Sequence, residues 1–312
     1  MAGLGRNHWA LILGGSSGFG LAVARRLSSA GMNLCVVHRD RRGAMERIER
    51  EFAEIQKTGV GFLSLNIDAL SLEGLDSTLT KLAESMGSGG KVRLLFHSIA
   101  YGNLKPLVAA APRPAAHDAQ SSLAGALGID EEKLERGIQQ AFGDGAHALF
   151  PLVTATYGDA VMEDEDMVRT IYSMGTSLLT WVQRVHAARL FADDARVIAL
   201  TSEGNEVAWR GYAAVAAAKS ALESVSRAIA VEFGPYGIRS NIIQAGVTDT
   251  PALRVIPGSD RMKAAAALRN PLGRMTRPED VADVVYLLCT PEAQWVNGAL
   301  IRVDGGEHIA SV

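Results

Sequence analysis

The first part of the chain alternates short apolar runs with longer stretches of helical periodicity. Residues 9–13 form a continuous apolar run, which is typical of a strand buried on both faces. In residues 21–27 the apolar positions recur at helical spacing, which predicts a helix. The same alternation predicts strands at 33–37, 61–68 and 92–96 and helices at 44–57 and 72–86. Strands that alternate with helices in this way predict an α/β fold, a doubly wound parallel sheet with helices on both faces.

The second part of the chain continues this pattern after a long interruption. Residues 196–201 read as a further strand, followed by a polar loop and an alanine-rich helix that carries Tyr212 and Lys219. The stretch of about 105–165 exceeds the connection that the fold needs by roughly 50 residues. Residues 106–116 contain too many prolines for a regular element, whereas 130–142 predict a helix capped by Asp130, and 163–166 an acidic helix start.

We therefore expect one domain over residues 1–312 with a mainly helical insert at about 105–165, after the fourth strand. A loop in that place borders the ligand cleft of such a fold. The insert is expected to act as a lid, a docking site for a carrier protein or an oligomer contact, and a decoration without a catalytic part remains the alternative.

Composition narrows the classes of function. The chain has 312 residues and a formal net charge of −3, which gives no reason to expect nucleic acid or an anionic membrane as partner. Cys35 and Cys289 lie in apolar runs and read as reduced core thiols. The histidines lack the spacing of metal ligands, so no metal is expected. Neither a membrane-spanning run nor a signal-peptide pattern is present, which predicts a cytoplasmic protein.

A glycine-rich turn joins the first predicted strand to the first predicted helix. It runs from Gly14 to Gly20 with the spacing Gly-x3-Gly-x-Gly. Glycines between a strand and a helix let a phosphate approach the backbone and the helix N-terminus, as in Rossmann-type dinucleotide folds. A simple tight turn is the alternative. The predicted phosphate contacts are Gly14, Ser16, Ser17, Gly18, Phe19 and Gly20.

The residues after the second and third strands bear on the choice of cofactor. At the end of the second strand, an acidic residue favours a free ribose 2′-hydroxyl and arginine favours a 2′-phosphate. Arg39, with Arg41 or Arg42, therefore favours NADPH, although Asp40 argues for NADH and a solvated helix start is the alternative. Asp68 follows the third strand and is placed to contact the adenine.

Tyr212 and Lys219 are seven positions apart, which on a helix places both on one face about 10 Å apart along the axis. An ammonium near a phenol makes that phenol a better acid. A surface tyrosine and a surface lysine that share a face are the alternative.

These motifs resemble the short-chain dehydrogenase/reductase superfamily and, within it, the bacterial enoyl-acyl-carrier-protein reductases. The glycine turn resembles the superfamily's TGxxxGxG, with Leu13 in place of threonine, and residues 97–103 resemble the His-Ser-Ile segment of the enoyl reductases. Ordinary members have Tyr-x3-Lys, but enoyl reductases have Tyr-x6-Lys, as here, and Val215 occupies the ordinary tyrosine position. The similarity covers residues 9–104 and about 166–308.

The resemblance implies a larger site. Ser202 falls where ordinary carbonyl reductases have a catalytic serine and where some enoyl reductases also have serine, so it does not discriminate between them. Residues 245–251 stand at the family's nicotinamide-facing turn, with Val247 in place of proline, and no match to the mid-helix catalytic asparagine appears near 174–177. The further cofactor contacts implied in this way are Ala69, Ser98, Ile99, Ala100, Lys219, Gly246, Thr248 and Thr250.

The function that follows from this resemblance is reduction of the 2,3 double bond of an enoyl thioester by NADPH or NADH. The expected substrate carrier is acyl carrier protein or coenzyme A, and the expected assembly is a homotetramer. Two alternatives are a carbonyl reductase of the same superfamily and a non-catalytic dinucleotide-binding scaffold.

Overall fold

A seven-stranded parallel sheet forms the centre of the computed structural model, which describes residues 4–5, 7–109 and 115–311. The strand order is β3-β2-β1-β4-β5-β6-β7, and each neighbouring pair is parallel. The strands are β1 (His8–Leu13), β2 (Asn33–His38), β3 (Phe62–Asn66), β4 (Lys91–His97), β5 (Phe191–Thr201), β6 (Ile238–Ala245) and β7 (Leu300–Val303). This is the predicted doubly wound α/β fold.

Helices cover both faces of the sheet. They are α1 (Gly18–Ser29), α2 (Met45–Gln56), α3 (Leu72–Met86), α4 (Ala115–Leu127), α5 (Glu131–Gly143), α6 (Asp164–Ile171), α7 (Ser177–Ala187), α8 (Ala213–Glu232), α9 (Pro251–Arg254), α10 (Ser259–Arg269) and α11 (Pro278–Leu288). None of the helices in the described part of the chain combines the length and the apolar character needed to cross a bilayer.

The apolar run of β1 is explained by its position between two cores. Ala10 and Ile12 pack into the core on the side of α1, α2 and α11. Trp9, Leu11 and Leu13 pack into the core on the side of α3, α7 and α8. Because successive side chains of a strand point to opposite faces, a strand covered on both faces is apolar throughout.

Several strands and helices begin or end at residues other than those predicted from the sequence. β5 begins at Phe191, five residues before its predicted start at 196, and β3 is shorter than the predicted 61–68. The proline-rich stretch of 106–116 was expected to be irregular, but α4 begins at Ala115. Residues 110–114 of that stretch lie outside the described residues. α5 begins as predicted, because the Asp130 carboxylate accepts a hydrogen bond from the Lys133 backbone N–H at 2.7 Å.

The described residues of the 105–165 segment form a small core of their own, and their contacts with the main domain include α10 and the loop before Tyr212. α4, α5 and the following turn bury Ala124, Leu134, Ile138 and Val153 together. On one side, Arg261 of α10 donates from its Nε to the Phe150 carbonyl at 3.1 Å. On the other side, Arg210 donates to the carbonyl oxygens of Val108 at 2.8 Å and Ala109 at 3.1 Å.

Candidate active site

A cavity of about 550 Å³ lies at the carboxyl ends of the strands. In a doubly wound sheet this is where ligands bind, at the point where the strand order reverses, here between β1 and β4. Every predicted site residue except Gly20 lines this cavity. Those residues are Gly14, Ser16, Ser17, Gly18, Phe19, Arg39, Asp68, Ala69, Ser98, Ile99, Ala100, Ser202, Tyr212, Lys219, Gly246, Thr248 and Thr250.

The glycine turn brings the backbone of β1 and the start of α1 to the cavity. Gly14 has φ +85°, and a Cβ there would lie 2.5 Å from the Ser98 carbonyl oxygen. Gly18, the first residue of α1, has φ +51°. Ser17 at the N-cap position makes no capping hydrogen bond through its side chain, so the N-terminal N–H groups of α1 have no side-chain cap.

Gly20 differs from the other glycines of the turn, because it packs within the protein and does not line the cavity. A Cβ on Gly20 would lie 2.1 Å from the Gly14 carbonyl oxygen. The last glycine of the motif therefore lets α1 pack closely against its own turn, while Gly14 and Gly18 form the cavity wall.

Arg39 reaches the cavity and is held by two neighbours. Its Nη1 donates to the Asp68 carboxylate at 2.8 Å, and its guanidinium lies 4.7 Å from the centre of the Tyr101 ring. Arg41 and Arg42 are exposed and do not line the cavity. The arginine argument for a 2′-phosphate therefore depends on Arg39 alone.

Tyr212 does not lie within α8 as expected, but is the residue that precedes it. The helix begins at Ala213, and Tyr212 has φ −109° and ψ 1°. Its side chain is buried, with the hydroxyl 3.4 Å from the Ser202 hydroxyl, a long contact for two oxygens, and its ring edge-to-face with Trp209. Val215, one turn into α8, also lines the cavity.

The expectation that Lys219 makes the Tyr212 phenol more acidic is wrong for this structure. Burial raises the pKa of Tyr212, the hydrogen bond with Ser202 opposes that rise, and Lys219 takes no part. Tyr212 therefore holds its proton at neutral pH and is a hydrogen-bond donor toward the cavity.

Lys219 is buried and donates to the Leu200 carbonyl at 2.9 Å. Burial lowers the pKa of Lys219 to about 8, although Glu223 on the next turn opposes this shift. Glu223 in turn accepts hydrogen bonds from Thr201 at 2.6 Å and Asn205 at 2.7 Å, which ties α8 to the end of β5.

A π-helical segment, Tyr172–Thr176, separates α6 from α7. It lies in the region where the family resemblance would place a mid-helix asparagine. Met174 of this segment lines the cavity, and Ser173 donates to the Tyr101 carbonyl. Ser177 contacts the buried His97 ring at 2.9 Å. Burial, with a contribution from Lys219, lowers the pKa of His97 to about 3, so this ring is neutral.

Two groups of cavity residues were not predicted from the sequence. One group is apolar and lies on the side of Tyr212, and the other is polar. The apolar residues are Leu104, Met174, Trp209, Val215, Ile256 and Met262, and the polar ones are Glu203, Glu307 and His308. Trp209, Val215 and Glu203 adjoin predicted site residues in the sequence, whereas Ile256, Met262, Glu307 and His308 come from elements far along the chain.

Comparison with protein families gives two matches that together cover most of the chain. The family model described as enoyl-(acyl carrier protein) reductase matches residues 150–308. The model described as short chain dehydrogenase matches residues 8–112.

Curated relatives match over part of their length. The cyclic-di-GMP-binding biofilm dispersal mediator protein of Escherichia coli K12 is 33% identical over 151 residues, which are 48% of this chain and 62% of that protein. The 1-cyclohexenylcarbonyl-CoA reductase of Streptomyces collinus is 32% identical over 127 residues, which are 40% of this chain and 45% of that protein. The chain thus spans about half the length of these relatives.

Solved structures share the fold over nearly the whole chain at low identity. The NADH-type enoyl-[acyl-carrier-protein] reductase of Aquifex aeolicus VF5 has a TM-score of 0.70 at 22% identity and covers 99% of this chain and 100% of its own. The 3-ketoacyl-(acyl-carrier-protein) reductase of Brucella melitensis, complexed with NADH, has a TM-score of 0.66 at 22% identity and covers 96% and 98%. A short chain dehydrogenase of Burkholderia cenocepacia J2315 in complex with NADP has a TM-score of 0.68 at 21% identity and covers 96% and 97%.

Proposed function

This chain belongs to the short-chain dehydrogenase/reductase family, and on that premise we propose that it reduces the 2,3 double bond of an enoyl thioester with NADPH or NADH. The observation that carries the proposal is the place of Tyr212. It precedes the first turn of α8, while Val215 occupies the cavity wall one turn further on, where ordinary members of the family have their tyrosine. A donor set back by one turn suits an enoyl thioester, whose carbonyl oxygen lies three bonds from the carbon that receives the hydride, two bonds further than in a ketone.

The residues around the cavity fit a nicotinamide dinucleotide. The N-terminus of α1 has no side-chain cap and lies with Gly14 and Gly18 at the cavity, which suits a pyrophosphate. Arg39 at the far end suits a 2′-phosphate, and Lys219 suits the hydroxyl groups of a ribose. When bound, the reduced nicotinamide supplies a hydride.

Tyr212 supplies the hydrogen-bond donor that the hydride transfer needs at the other end of the reacting group. As negative charge develops on the thioester oxygen, the protonated phenol donates a hydrogen bond to it. This interaction is stronger in the transition state than with the neutral thioester, so it accelerates the reaction. The apolar side chains of Trp209, Met174 and Ile256 exclude water from the site, which strengthens that hydrogen bond.

A carbonyl reductase is the second candidate, and Ser202 favours it. The Ser202 hydroxyl lies 3.4 Å from the Tyr212 hydroxyl, so both could donate to one carbonyl oxygen next to the carbon that is reduced. In that reaction Tyr212 would deliver its proton to the oxygen.

One assay separates these activities. Purified protein with NADPH or NADH is offered a trans-2-enoyl thioester and a 3-ketoacyl thioester, each on coenzyme A and on acyl carrier protein, and the absorbance of the reduced cofactor is followed. We expect oxidation with the enoyl substrate. Oxidation with the ketone alone would establish the second candidate, and absence of cofactor binding would favour a non-catalytic scaffold.

Replacement of the phenol tests the catalytic assignment. Tyr212→Phe should lower kcat by about 100-fold or more while leaving the Kd for NADPH unchanged, because the variant loses the donor but keeps the ring. Tyr236→Phe, which alters an exposed tyrosine, is the matched control. Unchanged turnover in Tyr212→Phe would remove this residue from the mechanism.

A further inference from the structure

Three charged side chains form a cluster beside the cavity that the proposed reaction does not use. Arg269, at the end of α10, donates from Nη2 to both carboxylate oxygens of Glu203 at 2.8 and 2.9 Å and to Glu307 at 2.9 Å. The Glu307 side chain is 2% exposed. Burying a carboxylate is costly unless it is paired and hydrogen-bonded, and Glu307 has both kinds of partner.

The second partner of Glu307 is the backbone of the turn after β6. The Val247 N–H donates to Glu307 Oε2 at 3.2 Å. Gly246 lies against the same carboxylate, because a Cβ on Gly246 would be 2.8 Å from Glu307 Oε2. Both residues of the turn line the cavity.

Val247 stands where the related motif has proline. The valine has a backbone N–H, which needs a hydrogen-bond acceptor. Proline has no N–H, whereas valine adds a donor in a turn where Gly246 and Val247 are half-buried and Thr248 and Thr250 are buried. A buried N–H without an acceptor is costly, so the turn needs a partner at this point. Glu307 is that partner.

Arg269 extends the contact to a second segment that lines the cavity. Glu203, which it also binds, directly follows Ser202 at the end of β5. The cluster therefore connects the loop that carries Ser202, the turn of 246–250 and the C-terminal residues of the chain. Movement of one of these segments relative to another would break at least one charged hydrogen bond.

We propose that Glu307, held by Arg269, is a positioning residue that fixes the turn of 246–250 against the nicotinamide half of the cofactor. The carboxylate does so by accepting the Val247 N–H and supporting Gly246. This inference rests on the cofactor part of the proposed function and not on the enoyl substrate, so binding measurements without any thioester test it separately.

The test compares two probes that differ only in the nicotinamide. Titrations with NADPH and with 2′-phospho-ADP-ribose, which lacks the ring, are made on Glu307→Ala. We expect the Kd for NADPH to rise about tenfold, the effect of one lost charged hydrogen bond, and the Kd for 2′-phospho-ADP-ribose to change less than about twofold. Equal losses for both probes, or no loss for NADPH, would overturn the proposal.

Two variants complete the experiment. Glu307→Gln keeps an oxygen that can accept the Val247 N–H, so it should restore most of the NADPH affinity, and failure to do so would contradict the proposed contact. Glu206→Ala removes a nearby exposed carboxylate that lies 3.7 Å from His308 and should bind both probes like the wild type.

Should Glu307→Ala fail to fold, the double variant Val247→Pro/Glu307→Ala decides the matter. It lacks both the donor and the acceptor, so it should recover folding and NADPH binding. Continued loss of both would show that Glu307 acts through Arg269 alone and would overturn the proposal. A wild-type protein that binds neither probe would instead contradict the proposed cofactor.

Discussion

Lys219 lies in a buried position, where its positive charge is unfavourable. Burial lowers its pKa from 10.5 to about 8, so the folded protein releases this proton as the pH rises through about 8, whereas the unfolded chain keeps it to about 10.5. The penalty for burying the charge is therefore full below pH 8 and declines as the pH rises toward 10.5. Such a cost is typical of a functional residue.

The same pKa predicts a pH dependence of cofactor binding. Above pH 8 the neutral amine is a weaker hydrogen-bond donor to the ribose hydroxyl groups, so the Kd for NADPH should rise by up to about tenfold per pH unit. Titrations of NADPH fluorescence on both sides of pH 8 measure this change. Lys219→Met should bind more weakly without this pH dependence. A wild-type Kd that stays constant through pH 8 would refute the assignment.

We propose that Arg39 determines the preference for NADPH over NADH. Its guanidinium lies between Asp68 and Tyr101 and lines the cavity, so it is already oriented for an anion. Arg39→Ala should raise the Kd for NADPH by about 10- to 100-fold and leave the Kd for NADH nearly unchanged. Arg42→Ala, at an exposed site away from the cavity, is the control. Equal effects on both cofactors would contradict the role of Arg39.

At the scale of elements, the start of α8 helps to place the Tyr212 side chain, whose own carbonyl accepts the first hydrogen bond of the helix from the Ala216 N–H at 2.9 Å. Tyr212 and Lys219 were expected on one continuous helix, but the helix begins at Ala213. Tyr212 therefore takes its orientation from its neighbours as well as from the helix start. Trp209 packs edge-to-face on its ring, and a side chain at Gly204 would lie 2.4 Å from that ring.

α5 is a helix whose start depends on one carboxylate. Asp130 accepts the Lys133 N–H at 2.7 Å, and Asp130→Ala should lower the stability of α5 by about 1 kcal/mol. Hydrogen exchange of the α5 amides measures this loss. Asp130→Asn retains a capping oxygen and should exchange like the wild type. If the alanine variant shows the same protection, the cap does not support the helix.

At the scale of the whole molecule, the described residues of the 105–165 segment contact two walls of the cavity, and none of these described residues lines it. They contact α10 through Arg261 and the loop before Tyr212 through Arg210. On these contacts we propose that the segment acts as a lid. The expected homotetramer stays a prediction, which sedimentation can test.

Removal of the hydrogen bond between Arg261 and the Phe150 carbonyl tests whether the segment acts as a lid. Arg261 lies next to Met262, a cavity residue, and Arg261→Ala should free α10 from the Phe150 carbonyl. The KM for the acyl substrate should then rise by about 3- to 10-fold, with an unchanged Kd for NADPH. Asp260→Ala, an exposed change on the same helix, is the control. An unchanged KM would indicate that the segment is a decoration.

Local patterns in the sequence predicted the parallel sheet, the glycine turn and the positions of Arg39 and Asp68, whereas the resemblance to the family supplied cavity residues such as Ser98, Ser202 and Thr248. The former features follow from short-range rules, because apolar runs mark buried strands and the carboxyl ends of parallel strands meet at one edge. Tertiary structure alone decided that Gly20 packs against Gly14, that Tyr212 lies outside α8, and that Lys219 does not acidify it. It also brought Glu307 to Arg269 and Val247. Such contacts join residues far apart in the chain, and no periodicity or spacing records them, so they exist only once the sheet has brought the loops together.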